Sequence, residues 1–183
     1  IIVSLVGSEM CIRDSYDPAN LIEITVPDLR VLNTRLDDSP LYYNIQTAIN
    51  NADEGDTIHA WNGTYYENIE ISDEVTLKGN GTSTIINGTS GIAIEISDND
   101  IVVKDLLIIS SEKGIFINGA HDASISTIRF TDNEYAVYVE DSQRALIYNN
   151  EFDLEDYGIY FTGSSSSATV SYTHLTLPTN DLV

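Results

Sequence analysis

Three carboxylates recur at one position of a repeating pattern: Glu112, Glu134 and Asp156 each stand two residues before a small residue, Gly114, Ala136 or Gly158. Their spacing is 22 residues, so a fold that stacks the repeat sets them in a column. Carboxylates that close repel one another unless a cation, a ligand or salt screens them. Two carboxylates about 5 Å apart also suit a retaining glycosidase, which makes Glu134 and Asp156 catalytic candidates. Glu112, Glu134 and Asp156 together are candidates for holding calcium. Beside them in register stand Tyr135 and Tyr157, while Phe116, Tyr138 and Tyr160 are expected to form an outward aromatic column. Aromatic faces next to acids bind sugars by stacking and hydrogen bonding, so these five rings are the candidate ligand-binding residues. Three readings stay open: a solvated acidic face, which leads, a glycan or calcium site, and a catalytic site.

Other residues carry less. Lys104, Lys113, Arg129 and Arg144 are the cations of the later repeats, and a lyase-like site would need one beside acidic calcium ligands to abstract a proton. Arg129 falls one repeat below Glu151, which predicts a cross-repeat ion pair rather than a base. His121 reads as a loop residue, His59 as an outward or edge residue, and Asp37-Asp38 as a solvated turn. Asp98-Asn99-Asp100 lacks the spacing and glycine of an EF-hand. Asn62, Asn80 and Asn87 each open an Asn-Gly-Thr sequon and are candidate glycosylation sites, although Asn-Gly is equally a turn signal.

The elements that position these residues follow from the repeat. Gly91-Ile92-Ala93-Ile94, Gly114-Ile115-Phe116-Ile117, Ala136-Val137-Tyr138-Val139 and Gly158-Ile159-Tyr160-Phe161 align at spacings of 23, 22 and 22 residues. Each alternates apolar and variable positions, the period of a strand with one buried face. A second column runs through Val103, Ile125, Ile147 and Val170. A third pairs Leu106 with Ile108, Ile128 with Phe130, and Asn150 with Phe152. Earlier turns fit through Ile58 and Ala60, Ile69 and Ile71, Val75 and Leu77, and Ile85. Three short strands per turn, separated by Asp, Asn, Ser and Gly, predict an all-β, right-handed parallel β-helix of about five coils. Over 44–52, Ile45, Ala48 and Ile49 share a helical face and Gly55 follows as a stop, which predicts a short N-terminal capping helix.

Composition narrows the function. With 29 acidic against 8 basic side chains the net charge is -21, which repels nucleic acid and anionic lipid. No apolar run is long enough to cross a bilayer. Residues 4–15, SLVGSEMCIRDS, and 171–180, SYTHLTLPTN, resemble translated sequencing-adapter read-through of a metagenomic contig. On that reading 1–15 and 171–183 are artefact, 16–43 is a linker or partial N-terminal segment, and 44–170 is a truncated β-helix domain. Cys11, Met10 and His174 fall inside the suspect ends and support no metal, redox or nucleophile argument. Each end carries a net charge of only -1, so the segment between keeps about -19.

One stretch carries a family resemblance. Ile45-Gln46-Thr47-Ala48-Ile49, Gly55-Asp56-Thr57-Ile58 and Trp61-Asn62-Gly63-Thr64-Tyr65-Tyr66-Glu67-Asn68-Ile69 resemble the opening of NosD-type, or CASH-domain, β-helix proteins of the pectin-lyase-like superfamily. Ile147-Tyr148-Asn149-Asn150-Glu151-Phe152 resembles the later coils of that family, and the likeness covers residues 44 to 170. It implies an extracellular, cell-surface or periplasmic protein, but no single activity, because the superfamily holds lyases, hydrolases, epimerases and non-catalytic modules. The expected function is a non-catalytic, monomeric, acidic scaffold for polysaccharide or surface glycan. The alternative is a fragment of a polysaccharide lyase, hydrolase or epimerase with an incomplete site.

Overall fold

The computed structural model describes residues 42–153 and 155–171 in full, with the backbone of strands Ile2–Val6, Glu9–Arg13, Ile22–Ile24, Val31–Asn33, Leu41–Tyr42 and His174–Thr176. From Thr57 onward the chain winds through short strands that pair in parallel with their equivalents one coil away, building three sheets. The first holds Thr57–Ala60, Thr76–Lys78, Val102–Lys104, Ser124–Ser126, Leu146–Tyr148 and Thr169–Ser171. The second holds Gly63–Tyr65, Thr84–Asn87, Leu107–Ile109, Arg129–Thr131, Glu151–Asp153 and His174–Thr176. The third holds Ile69–Ile71, Ile92–Ile96, Lys113–Asn118, Tyr135–Glu140 and Tyr157–Thr162. This is a parallel β-helix of about five turns with a period near 22 residues and a short helix ahead of it. Val31–Asn33 extends the first sheet antiparallel to Thr57–Ala60, and Ile2–Val6, Glu9–Arg13 and Ile22–Ile24 pair antiparallel among themselves.

Inward residues stack on their equivalents, as a coil of small cross-section requires. In the first sheet Ile58, Leu77, Val103, Ile125 and Ile147 are fully buried in register. In the second, Phe130 and Phe152 stack at 5.2 Å between ring centroids. Two details differ from the sequence expectation. The inward apolar residue of Thr84–Asn87 is Ile86, which registers with Ile108, while Ile85 faces outward beside Leu107. Ile94, not Ile92, registers with Ile115, so the small-residue slot of that coil is Ala93 rather than Gly91. On the next coil the equivalent position is tight, since a Cβ on Gly114 would meet the Ala136 carbonyl oxygen at 2.6 Å.

The corners repeat too. Asp105, Thr127 and Asn149 have φ of 59°, 54° and 54°, and Asp100, Asp122, Arg144 and Ser167 all have φ of 58°. Left-handed residues turn the chain between strands, and after glycine Asp and Asn adopt that conformation most readily.

The helix Ile45–Ile49 is shorter than expected, since Asn50, Asn51 and Ala52 continue as turns. It buries Ile45, Ala48 and Ile49 against the first coil. Asn44 Oδ1 accepts from the Thr47 N–H, while Glu67 accepts from the Ile45 and Gln46 N–H groups, both at 3.0 Å. Helix-start donors are thereby satisfied by a carboxylate from the first coil. Among the described residues no helix is long and apolar enough to cross a membrane.

Candidate functional site

The third sheet turns three outward lines of residues to solvent. Glu70, Glu95, Phe116, Tyr138 and Tyr160 share one register, Lys113, Tyr135 and Tyr157 a second, and Asn118, Glu140 and Thr162 a third. The five rings expected as a ligand face come together here. Tyr135 and Tyr157 stack at 4.7 Å with 10° between planes, and Tyr138 lies 5.1 Å from Tyr160. Phe116 meets Tyr138 edge-on at 5.5 Å, and Tyr135 meets Tyr138 edge-on at 5.2 Å, both favoured geometries for ring quadrupoles. Exposure rises along the face, from 7% at Phe116 to 40% at Tyr160 and 50% at Tyr157.

Lys113 has a role that residue type alone does not announce. Its Nζ lies 4.5 Å from the Phe116 ring centre and 4.4 Å from that of Tyr138, within the range of a cation–π contact. Loss of water pushes the Tyr135 phenol up, with Glu134 adding to the shift. Tyr138 is raised in the same way, with Glu140 adding. Acids therefore flank the rings on both sides.

Glu112, Glu134 and Asp156 do stack, because the Tyr135 N–H donates to the Glu112 carbonyl at 2.9 Å and the Tyr157 N–H to that of Glu134 at 2.8 Å. All three are exposed. Glu112 and Glu134 line a shallow depression with Ser90, Ser110, Ser111 and Asp132. A second acidic depression, which the sequence reading missed, gathers Glu54, Asp73, Glu74, Asp98, Asn99 and Asp100. Among the described residues, no three His, Cys, Asp or Glu converge to hold a metal ion. The side chains of Met10, Cys11, Asp37, Asp38 and His174 lie outside the described residues.

The remaining candidates find ordinary partners. Arg129 Nη2 bonds Asp153 at 2.9 Å and its Nε lies 3.9 Å from Glu151, the expected cross-coil pair with a second acid added. Arg144 holds Asp122 through Nε at 2.7 Å and through a second short contact, and keeps that carboxyl below its ordinary value. His121 Nδ1 accepts from the Gln143 N–H at 3.2 Å. His59 stacks on Trp61 at 5.8 Å, and burial, with Lys78 nearby, lowers its pKa. Of the sequon asparagines, Asn80 donates to Asn62 at 2.7 Å across one coil, and Asn87 accepts from the Thr89 N–H.

A buried polar ladder also escaped the sequence reading. Asn133 accepts from the Ser111 N–H, and Glu155 one coil on accepts from both the Asn133 N–H and Nδ2. Its signal was present as Ser111, Asn133 and Glu155 at spacings of 22, next to the exposed acids.

The sequence profile of the periplasmic copper-binding protein family NosD matches residues 30–172. The chain belongs to that family. No curated protein matches this NosD-family chain by sequence. Among solved structures it is similar to a pectin methylesterase in complex with a hexasaccharide, at TM-score 0.58 and 16% identity, over 68% of the chain and 48% of the enzyme. It is also similar to a putative glycosyl hydrolase from Parabacteroides merdae, at TM-score 0.50 and 10% identity, over 73% and 88%. The NosD-family chain thus spans about half the length of the pectin methylesterase. Such likenesses carry the pectin-lyase-like fold and no activity.

The family description names copper, and the donors present can be weighed against it. Copper favours thiolate, thioether and imidazole ligands. Among the described side chains the imidazoles are His59, in the first coil against Trp61, and His121, at a later corner with Nδ1 already bonded. They do not form a copper-binding set with other ligands in this part of the family fold.

Proposed function

We propose that this chain is a non-catalytic β-helix module of an exported, periplasmic or cell-surface protein, a rigid acidic scaffold that binds glycan on the outward face of its third sheet. The observation that carries the reading is the array of Phe116, Tyr135, Tyr138, Tyr157 and Tyr160, with neighbouring rings about one coil spacing apart. Aromatic platforms bind the apolar faces of sugar rings, and flanking acids accept from their hydroxyls. Membership of a family described as periplasmic supports export. A scaffold is favoured over an enzyme because, among the described residues, Arg129 and Arg144 pair with acids and Lys113 lies on rings, while Lys78 and Lys104 stand on the first sheet.

Calorimetric titration with hexasaccharides retained on a glycan array tests this. Tyr138→Ala with Tyr160→Ala should weaken binding at least about tenfold while leaving the fold's cooperative melt in place. Equal binding by the double variant would remove the aromatic face from the account.

A second reading keeps Glu134 and Asp156, successive members of a column with coil spacing of about 4.8 Å, as a glycosidase-like carboxylate pair. It predicts turnover of a polysaccharide that Glu134→Gln abolishes. Turnover of that kind would overturn the scaffold reading.

A further inference from the structure

The aromatic face already holds one ammonium group. Lys113 Nζ lies over Phe116 and Tyr138, and in the next two coils its register is filled by Tyr135 and Tyr157 instead. The rings of the fifth coil therefore extend a cation-accepting surface past the two rings that Lys113 covers. The exposed rings Tyr157 and Tyr160 form that extension.

Charge points the same way. Glu134 and Asp156 precede Tyr135 and Tyr157, Glu140 lies on the opposite flank in register with Asn118 and Thr162, and both Glu134 and Glu140 act on the tyrosine phenols. The molecule as a whole carries -21. A uronate polymer approaching this face would meet repulsion, whereas a ligand with amines would gain both cation–π and ionic attraction.

We propose that the ligand of this face is an amine-bearing glycan, an oligosaccharide of de-N-acetylated amino sugars, whose ammonium groups sit on Tyr157 and Tyr160 beside Glu134 and Asp156. The inference rests on the glycan-binding reading above and names its substrate class.

The test titrates the full chain with three hexasaccharides of the same length: glucosamine, N-acetylglucosamine and galacturonate, at slightly acidic pH where the sugar amines are charged. The glucosamine hexamer should bind at least about tenfold tighter than the N-acetylated one, weakening as salt rises, and galacturonate should bind weakest. Glu134→Gln with Asp156→Asn should erase the preference for the free amine, bringing the glucosamine hexamer's affinity down to that of the N-acetylated one. Equal affinity for the two amino sugars, or a preference for galacturonate, would overturn the inference and leave glycan binding standing. Undiminished glucosamine binding by Tyr157→Ala with Tyr160→Ala would overturn it as bulk charge attraction. Binding of none of the three would overturn this inference, whereas an empty glycan array would sink the broader reading.

Discussion

A lysine among tyrosines gains more from ring faces than from water when the rings are already fixed by strand pairing, and Lys113 meets that condition between Phe116 and Tyr138. Replacing it with methionine keeps the stem and loses the charge, so the variant should lose modest stability, about 0.5–1 kcal/mol, read as a lowered denaturant midpoint. Glu155 presents the opposite problem, a carboxylate held away from water. Burial pushes its pKa from 4.5 up to about 7, against the pull of its two bonds from Asn133. A carboxyl raised on folding takes up a proton as the chain folds, so its contribution is whole below about pH 4.5 and is lost as pH rises through about 7. Chemical denaturation across that window should show stability falling with pH, and Glu155→Gln should flatten that component. Comparing the two curves separates it from the general relief of the -21 charge. Parallel curves for the two proteins would remove Glu155 as the source.

At the scale of strands and caps, burial decides what a substitution costs. Phe130→Ala should cost about 3–5 kcal/mol, since its ring is fully buried and stacked on Phe152. Phe161→Ala should cost far less, because the ring is 40% exposed on the outermost described strand of the third sheet. Glu67→Ala should cost about 1–2 kcal/mol by leaving the Ile45 and Gln46 N–H groups without their partner, read in the same denaturation experiment. The coil period was legible in the sequence because inward positions recur with strand alternation. The exact pairing of Ile92–Ile96 was not, because a slip of two residues keeps every inward side chain inward. Adjacent Ile85 and Ile86 are similarly indistinguishable by pattern until Ile108 pairs with one of them. Corners at Thr127 and Arg144 were hidden by residue type, though their equivalents Asp105, Asn149, Asp100 and Asp122 are ordinary left-handed residues.

Across the whole molecule, stacking converts a repeat in the sequence into a surface, with five coils of about 4.8 Å placing one aromatic column, its acidic flanks and its internal cation on a single face. The aromatic column was readable from the 22-residue spacing of Phe116, Tyr138 and Tyr160. The involvement of Lys113 was not, because it depends on how a flexible side chain lies across the coil above. The buried ladder of Ser111, Asn133 and Glu155 was hidden by chemistry that usually marks a surface. Glycan recognition by the third sheet is most directly tested by aromatic proton–carbon spectra of the intact chain during titration with the hexasaccharide that binds best. The account predicts progressive shifts of Tyr135, Tyr138, Tyr157 and Tyr160, with Tyr66 in the first coil and Tyr148 on the first sheet unmoved. Saturable binding that moves Tyr66 or Tyr148 and leaves those four rings in place would contradict it.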